Sequence, residues 1–137
     1  MPDSLSIGVR KFADRATRRA NEVLRESIRL LYVEVVSNAP QLSGYLRASV
    51  KASKGAPLPI EAAPPPAGGT YTYDPTAALA AIADAKAGEA VFLSVTASYA
   101  LFVEYGTSRQ ASNAFFRRAA MRWGAIVEQA NVNVSRQ

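Results

Sequence analysis

Of the eleven acidic residues in the chain, one is placed where a carboxylate is expensive. Glu104 sits inside the apolar, aromatic run Tyr99-Ala-Leu-Phe-Val-Glu-Tyr-Gly-Thr107, flanked by Val103 and Tyr105. A carboxylate buried there must be paired or hydrogen-bonded. It could serve as a general acid or base only with a second titrating group beside it. The chain contains no histidine and no cysteine. That removes the usual general base, the usual thiolate nucleophile and the commonest metal ligands. Gly68-Gly69 is not followed by Lys-Ser/Thr and does not follow a strand, so it is no phosphate-cradling loop. No metal constellation, cofactor motif or catalytic set is present, and the expectation is a protein that is not an enzyme. Glu104 is therefore expected to make a structural pairing, with Arg47 or with one of Arg117, Arg118 and Arg122.

The elements that must hold Glu104 can be read around it. Gly106 supplies a backbone conformation that other residues avoid, and Thr107 and Ser108 can cap or turn. Glu104, Tyr105, Gly106 and Thr107 thus read as a locked strand-to-helix corner. A helix is expected over 113–130, with Phe115, Ala119, Trp123, Ile126 and Ala130 on one face and Phe116 and Val127 beside them. Arg118 and Arg122 would sit at its rim, with Arg117 and Glu128 facing away, and the tail from Asn131 would fray.

Upstream, no proline interrupts Leu5 to Val36, and Ser4 or Ser6 could cap its start. Phe12, Ala16, Ala20, Val23, Ser27, Leu31 and Val35 recur at steps of three and four, one stripe of a long helix over residues 1–36. Asp14 with Arg18, Glu22 with Arg25 and Glu26 with Arg29 are candidate ion pairs along it. Some 30 helical residues span roughly 45 Å, so the arginine-rich start should project and the apolar last third should be buried. Ala39-Pro40 ends the helix. Ser43-Gly44 reads as a turn into a strand over 45–53, where Leu46, Ala48 and Val50 alternate with polar residues. The strand should pair antiparallel with a second over 89–97.

Between these lies a flexible arm, residues 54–73, with five prolines and three glycines. It is too poor in anchors to pack alone and is expected to be disordered in a lone monomer. Asp74-Pro75 opens a short inserted helix, Thr76–Ala87, closed by Gly88. The expected architecture is α+β, one domain over 1–137: a long N-terminal helix, a small antiparallel sheet, and a helix–strand–helix unit over 74–130 whose C-terminal helix packs on the sheet.

The net charge of +5 is uneven. Residues 1–36 carry seven basic and five acidic side chains, and the stretch from 105 onward carries five arginines against Glu128. Such a balance suits nucleic acid or an acidic protein surface, or simply two solvated helical faces. No apolar run is long enough to cross a membrane, and Met1-Pro-Asp-Ser-Leu lacks the pattern of a signal peptide. The expected setting is a reducing cytoplasm or something assembled there.

Three stretches resemble, in order and spacing, the tail-completion (neck, head–tail connector, minor tail) proteins of long-tailed bacteriophages. Ala39-Pro40 with Ser43-Gly44, Leu46-Arg47 and Ser49-Val50 is similar to that family's "AP-x-x-[ST]-G-x-L-R-x-S-[IV]" signature. Tyr99-Ala100 with Val103-Glu104-Tyr105-Gly106-Thr107 is similar to "YA-x-x-VE-[YF]-GT". Phe115-Phe116-Arg117-Arg118-Ala119 resembles "PF-[LM]-R-x-A", with Ala114 in place of the proline. The resemblance covers roughly residues 20–130. It implies a structural virion protein without cofactor: a homo-oligomeric ring, a hexamer ahead of a dodecamer, at the head–tail junction. The ring would meet neighbouring neck, tail-terminator or tail-tube proteins and let the genome pass with transient, nonspecific DNA contact. Assembly would take place in the host cytoplasm, away from membranes. Under it Phe115, Phe116 and Trp123 anchor the last helix, while Arg15, Arg18, Arg19, Arg109, Arg117, Arg118 and Arg122 face partners or DNA. The alternative is a small basic nucleic-acid-binding accessory protein.

Overall fold

The computed structural model describes the backbone of residues 4–41 and 44–137, with side chains from Gly8 onward apart from 42 and 43. Helix α1 (Ser4–Asn38) runs unbroken for 35 residues, about 50 Å. Its second half carries the core: Ser27, Ile28, Tyr32, Val35 and Val36 are buried. Ser27 satisfies its hydroxyl by donating to the Val23 carbonyl at 2.7 Å, the usual way a helix accommodates a buried serine. Residues 8–20 are exposed throughout, Phe12 included, so the start of the helix projects. The Glu26–Arg29 pair forms on its surface. Ala39, whose amide closes on the Val35 and Val36 carbonyls, ends the helix before Pro40. Capping by Ser4 or Ser6, and the Ser43 half of the expected turn, lie outside the described side chains.

The expected strand over 45–53 is shorter and starts later. Gly44 turns the chain at φ 86°, helix α2 (Tyr45–Ala48) forms a single turn, and β1 spans Val50–Lys54. Leu46 and Val50, both buried, are four residues apart, a spacing that serves a helical turn as well as an alternating strand. Strand β2 (Val91–Val95) pairs antiparallel with β1, Val50 opposite Val95 and Ala52 opposite Leu93. These residues face the α1 core. The other face, which alternation assigns to solvent, holds Ser94, buried together with the neighbouring Thr96. Thr96 bonds the Ser49 carbonyl through both its amide and its hydroxyl.

The Pro/Gly-rich segment covers that face. It forms no helix or strand beyond Lys54, as its prolines require, yet it is not the disordered arm expected of it. The amides of Gly55, Leu58 and Glu61 donate in turn to the Ala90 carbonyl, the Ser94 hydroxyl and the Thr96 carbonyl. Donors three residues apart suit the three-residue repeat of proline-rich backbone laid along a strand. Tyr45 donates to Glu61, the Tyr71 ring meets Tyr45 edge-on at 4.8 Å, and Tyr73 stacks on Tyr32 at 6.4 Å. Aromatic contacts anchor what composition alone leaves loose.

Helix α3 (Thr76–Ala83) is opened by Asp74, which accepts from the Thr76 amide and hydroxyl. Those bonds hold the Asp74 carboxyl below its usual range. The helix stops short of the expected Ala87 because α1 takes over its end. Arg25 Nε donates to the Ala85 carbonyl and the Ala87 amide donates to Asn21. Gly88, at φ 93°, then turns the chain toward β2.

The aromatic run after β2 is helical, not extended: α4 spans Ala100–Tyr105. The single helix expected over 113–130 is two, α5 (Phe115–Met121) and α6 (Trp123–Ser135). They break at Arg122, where Gly124 weakens the following turn. The tail does not fray at Asn131; Val134 is buried and α6 packs along α1, with Arg19 donating to Asn131 and Ser135. The fold is α+β, with a long N-terminal helix, a two-stranded antiparallel sheet and several short helices.

The strap contact gives a pH test. The Tyr45 phenol is pushed up to about 12, chiefly by its hydrogen bond to Glu61 and then by burial. Its folded value lies above the ordinary 10, so this bond's contribution is full below pH 10 and is lost as pH rises through about 12. In a spectrophotometric titration Tyr45→Phe should remove one late-titrating phenol. Glu61→Gln should move that phenol back toward 10. A curve unchanged by Glu61→Gln would show that the Glu61 carboxylate does not hold Tyr45.

Candidate functional site

Ala100, Val103 and Glu104, at i, i+3 and i+4 of α4, are the residues it buries. The same geometry turns Leu101, Phe102 and Tyr105 outward, each more than half exposed. Glu104 is 6% exposed and points across the following loop at the start of α5. That helix has no capping side chain of its own, since its N-cap position is Ala114. The carboxylate supplies the cap from a distance. One oxygen accepts from the Arg117 amide at 2.8 Å and the other from the Phe116 amide at 3.2 Å. Two donors of the first turn are thereby satisfied, and a negative charge sits at the positive end of the helix.

Arginine takes part as well. Arg117 Nε lies 3.4 Å from the same carboxylate, and its Nη2 donates to the Glu104 carbonyl at 3.0 Å. Its guanidinium lies 4.3 Å from the Tyr105 ring centroid. Arg117, expected to face away, is therefore folded back over the corner. Its side chain is 46% exposed, so the long ion pair is screened and the backbone cap dominates. The other arginine candidates go elsewhere: Arg47 to the Ala39 carbonyl, Arg118 to Asn113, and Arg122 to Glu34 on α1.

The loop between α4 and α5 is equally constrained. Gly106 ends α4 at φ 78°, ψ 175°. A Cβ there would lie 2.7 Å from the Ser112 amide nitrogen and 2.9 Å from the Gln110 carbonyl oxygen, both backbone atoms. Thr107 and Gln110 close a tight turn, Thr107 N–H to Gln110 O at 2.8 Å, with Arg109 exposed at its tip. Ser112 donates to the Glu104 carbonyl and the Asn113 amide to the Val103 carbonyl. The corner thus joins helix to helix, not strand to helix.

Of the aromatic anchors, Phe115 is fully buried and accepts at its carbonyl from Asn38 on α1. Phe116 packs against the core. Trp123 is 40% exposed, because the break at Arg122 turns it off the α5 face. Phe116 and Trp123 border an open apolar groove of about 510 Å³ between α1, β2 and α5. The cationic candidates do not form one surface. Arg19, Arg117, Arg118 and Arg122 are held by partners within the chain, while Arg15 and Arg18 lie on the exposed start of α1. The outward patch Leu101, Phe102 and Tyr105 was missed as such; the three-and-four spacing of Ala100, Val103 and Glu104 was its signal. Among the described residues no cluster of acidic side chains could hold a metal ion, and no helix is long and apolar enough to cross a membrane.

No family model, curated protein or solved structure matches this chain.

Three substitutions test the corner by denaturant unfolding, with Gly8→Ala on α1 as a control. Gly106→Val adds both a disfavoured φ and a clash with backbone, and should cost roughly 3 kcal/mol or more. Gly8→Ala, in an open helical position, should instead stabilise by about 0.5–1 kcal/mol. At 104, alanine strands two amides and the guanidinium and should cost about 2–3 kcal/mol, whereas glutamine keeps one acceptor and should cost about 1. Equal, negligible losses from both would take Glu104 out of the corner.

Proposed function

We propose that this chain is a structural virion protein of a long-tailed bacteriophage. It forms a homo-oligomeric ring at the head–tail junction, joins the neck to the tail tube and lets the genome pass. The observation that carries the reading is that the three signature-like stretches meet. Glu104 of the second caps the helix that opens the third. Asn38, the last residue of α1 and the one immediately before the first, donates to the Phe115 carbonyl of the third. Tyr45 of the first lies 6.3 Å, ring to ring, from Tyr99 of the second. A motif set spread over some eighty residues thus acts as one unit, and that unit is built from packing and capping groups.

Two further features favour assembly. The exposed Leu101, Phe102 and Tyr105 form an apolar patch of the kind that marks protein contacts. The projecting start of α1 has more helix than one body can cover. Of the seven candidate arginines, the exposed Arg15, Arg18 and Arg109 are the ones left to meet a neighbour or passing DNA.

Mass by light scattering, at low and high salt and with and without a short DNA duplex, tests this reading. A closed oligomer that persists in high salt and ignores DNA is the expected result, because apolar burial is insensitive to screening. A monomer that binds DNA only at low salt would replace it with a basic nucleic-acid-binding accessory protein, since phosphate contacts weaken steeply with salt.

A further inference from the structure

The start of α1 is an unsupported helix, and isolated helices of this length are marginal in water. Over residues 8–20 it is two-faced. Val9, Phe12, Ala13 and Ala16 stand at i, i+3, i+4 and i+7, and Val9 and Phe12 are 60% and 66% exposed. That is the anchor spacing with which an amphipathic helix enters an apolar groove. Lys11, Arg15 and Arg18 occupy the other side. The stripe also continues an interface already formed. Steps of three and four lead from Phe12 and Ala16 to Arg19, then on to Leu30 and Glu34. Arg19 is bound to Asn131 and Ser135 of α6, and Glu34 to Arg122. The surface of α1 that packs on a helix in the body therefore extends, uncovered, to Val9.

A matching recess lies on the same molecule. The open groove of about 510 Å³ is walled by Leu24 and Ile28 of α1, Leu93 of β2, and Phe116, Ala120 and Trp123 of the α5–α6 region. A second recess, which shares Leu93 and Phe116 with it, carries the apolar floor on to Ile60 and Leu101. The chain's own arm cannot fill it. Phe12 and Leu24 are about 18 Å apart on one unbroken helix, so the start of α1 does not reach the groove that Leu24 lines.

We infer that the start of α1 (residues 8–20) of one copy seats its Val9–Phe12–Ala16 stripe in the Leu24–Leu93–Phe116–Trp123 groove of the next copy. The inference rests on the ring reading and names its contact. Donor and acceptor surfaces differ, so the contact is heterologous, and repetition closes a ring when the rotation allows it. A single arm of this length buries less than the roughly 800 Å² per partner of a stable pair. Each subunit in a closed ring makes the contact twice, once as donor and once as acceptor, which offsets that shortfall.

The full chain has no cysteine, so single-cysteine variants report the contact directly. Phe12→Cys and Ala120→Cys, mixed and treated with a short bis-maleimide, should give an inter-chain product that neither variant gives alone. A product from Phe12→Cys alone would mean that two arms pair symmetrically, and would overturn the inference. Phe12→Asp, at an exposed position, should leave helix content unchanged and raise the concentration of half-assembly by about tenfold or more. A salt-resistant ring with no mixed product and no response to Phe12→Asp overturns this contact and leaves the ring reading standing. A chain that stays monomeric at every concentration overturns the contact and withdraws self-assembly from the ring reading. Phe12-dependent sedimentation of a monomer with phosphatidylserine vesicles, or with a DNA duplex, would also overturn it and give the stripe to that partner.

Discussion

One buried carboxylate organises the C-terminal half of this protein. Helix α5 begins at Phe115 with no capping residue of its own, and Glu104 reaches across a loop to take the amides of Phe116 and Arg117. The desolvation of Glu104 is offset because the acceptor meets two preorganised donors and the positive end of a helix. That single pairing sets the distance between α4 and α5. The loop between them must then be tightly closed, which requires the positive φ of Gly106 and leaves no room for a Cβ beside Ser112 and Gln110. Phe115 is held at the core, and Asn38 at the end of α1 is bound to it.

The long helix α1 supplies the other constraint. Its second half is the wall on which the sheet and the later helices pack. Its polar side chains also finish the ends of neighbours: Arg25 and Asn21 terminate α3, Glu34 holds Arg122 at the α5–α6 break, and Arg19 ties down the end of α6. Several arginines that look like a cationic surface in the sequence are structural in this way. What remains outward is a basic, amphipathic start of α1, an aromatic patch on α4 and an open apolar groove. The proposed assembly role would use this distribution: a body locked by capping and packing, with apolar surfaces left for neighbours.

Much of this was legible in the residue order. A proline-free run with apolar residues at steps of three and four can only be a long helix, and its length alone says that part of it must project. Glu104 inside an apolar run announces a polar contact, and Gly106 announces a turn, because the costs of a bare buried charge and of a strained β-carbon are local. The two strands follow from alternation flanked by turn residues. Less legible were the places where spacing serves two structures. Leu46 and Val50 fit a helical turn as well as a strand, and Ala100, Val103 and Glu104 fit a helix inside a run that reads as extended.

By itself, then, the sequence determined the α+β class, the projecting helix, the buried carboxylate and the lack of histidine or cysteine chemistry, all of them local or compositional properties. Only the tertiary structure decided which amides Glu104 caps, that the proline-rich segment lies strapped on β2, and where α3 stops. Each of those depends on partners distant in the chain: Arg117 for Glu104, Ser94 and Thr96 for the strap, Arg25 and Asn21 for α3. A side chain's capacity to cap, cover or terminate is written in its type. The group that receives it is chosen by packing.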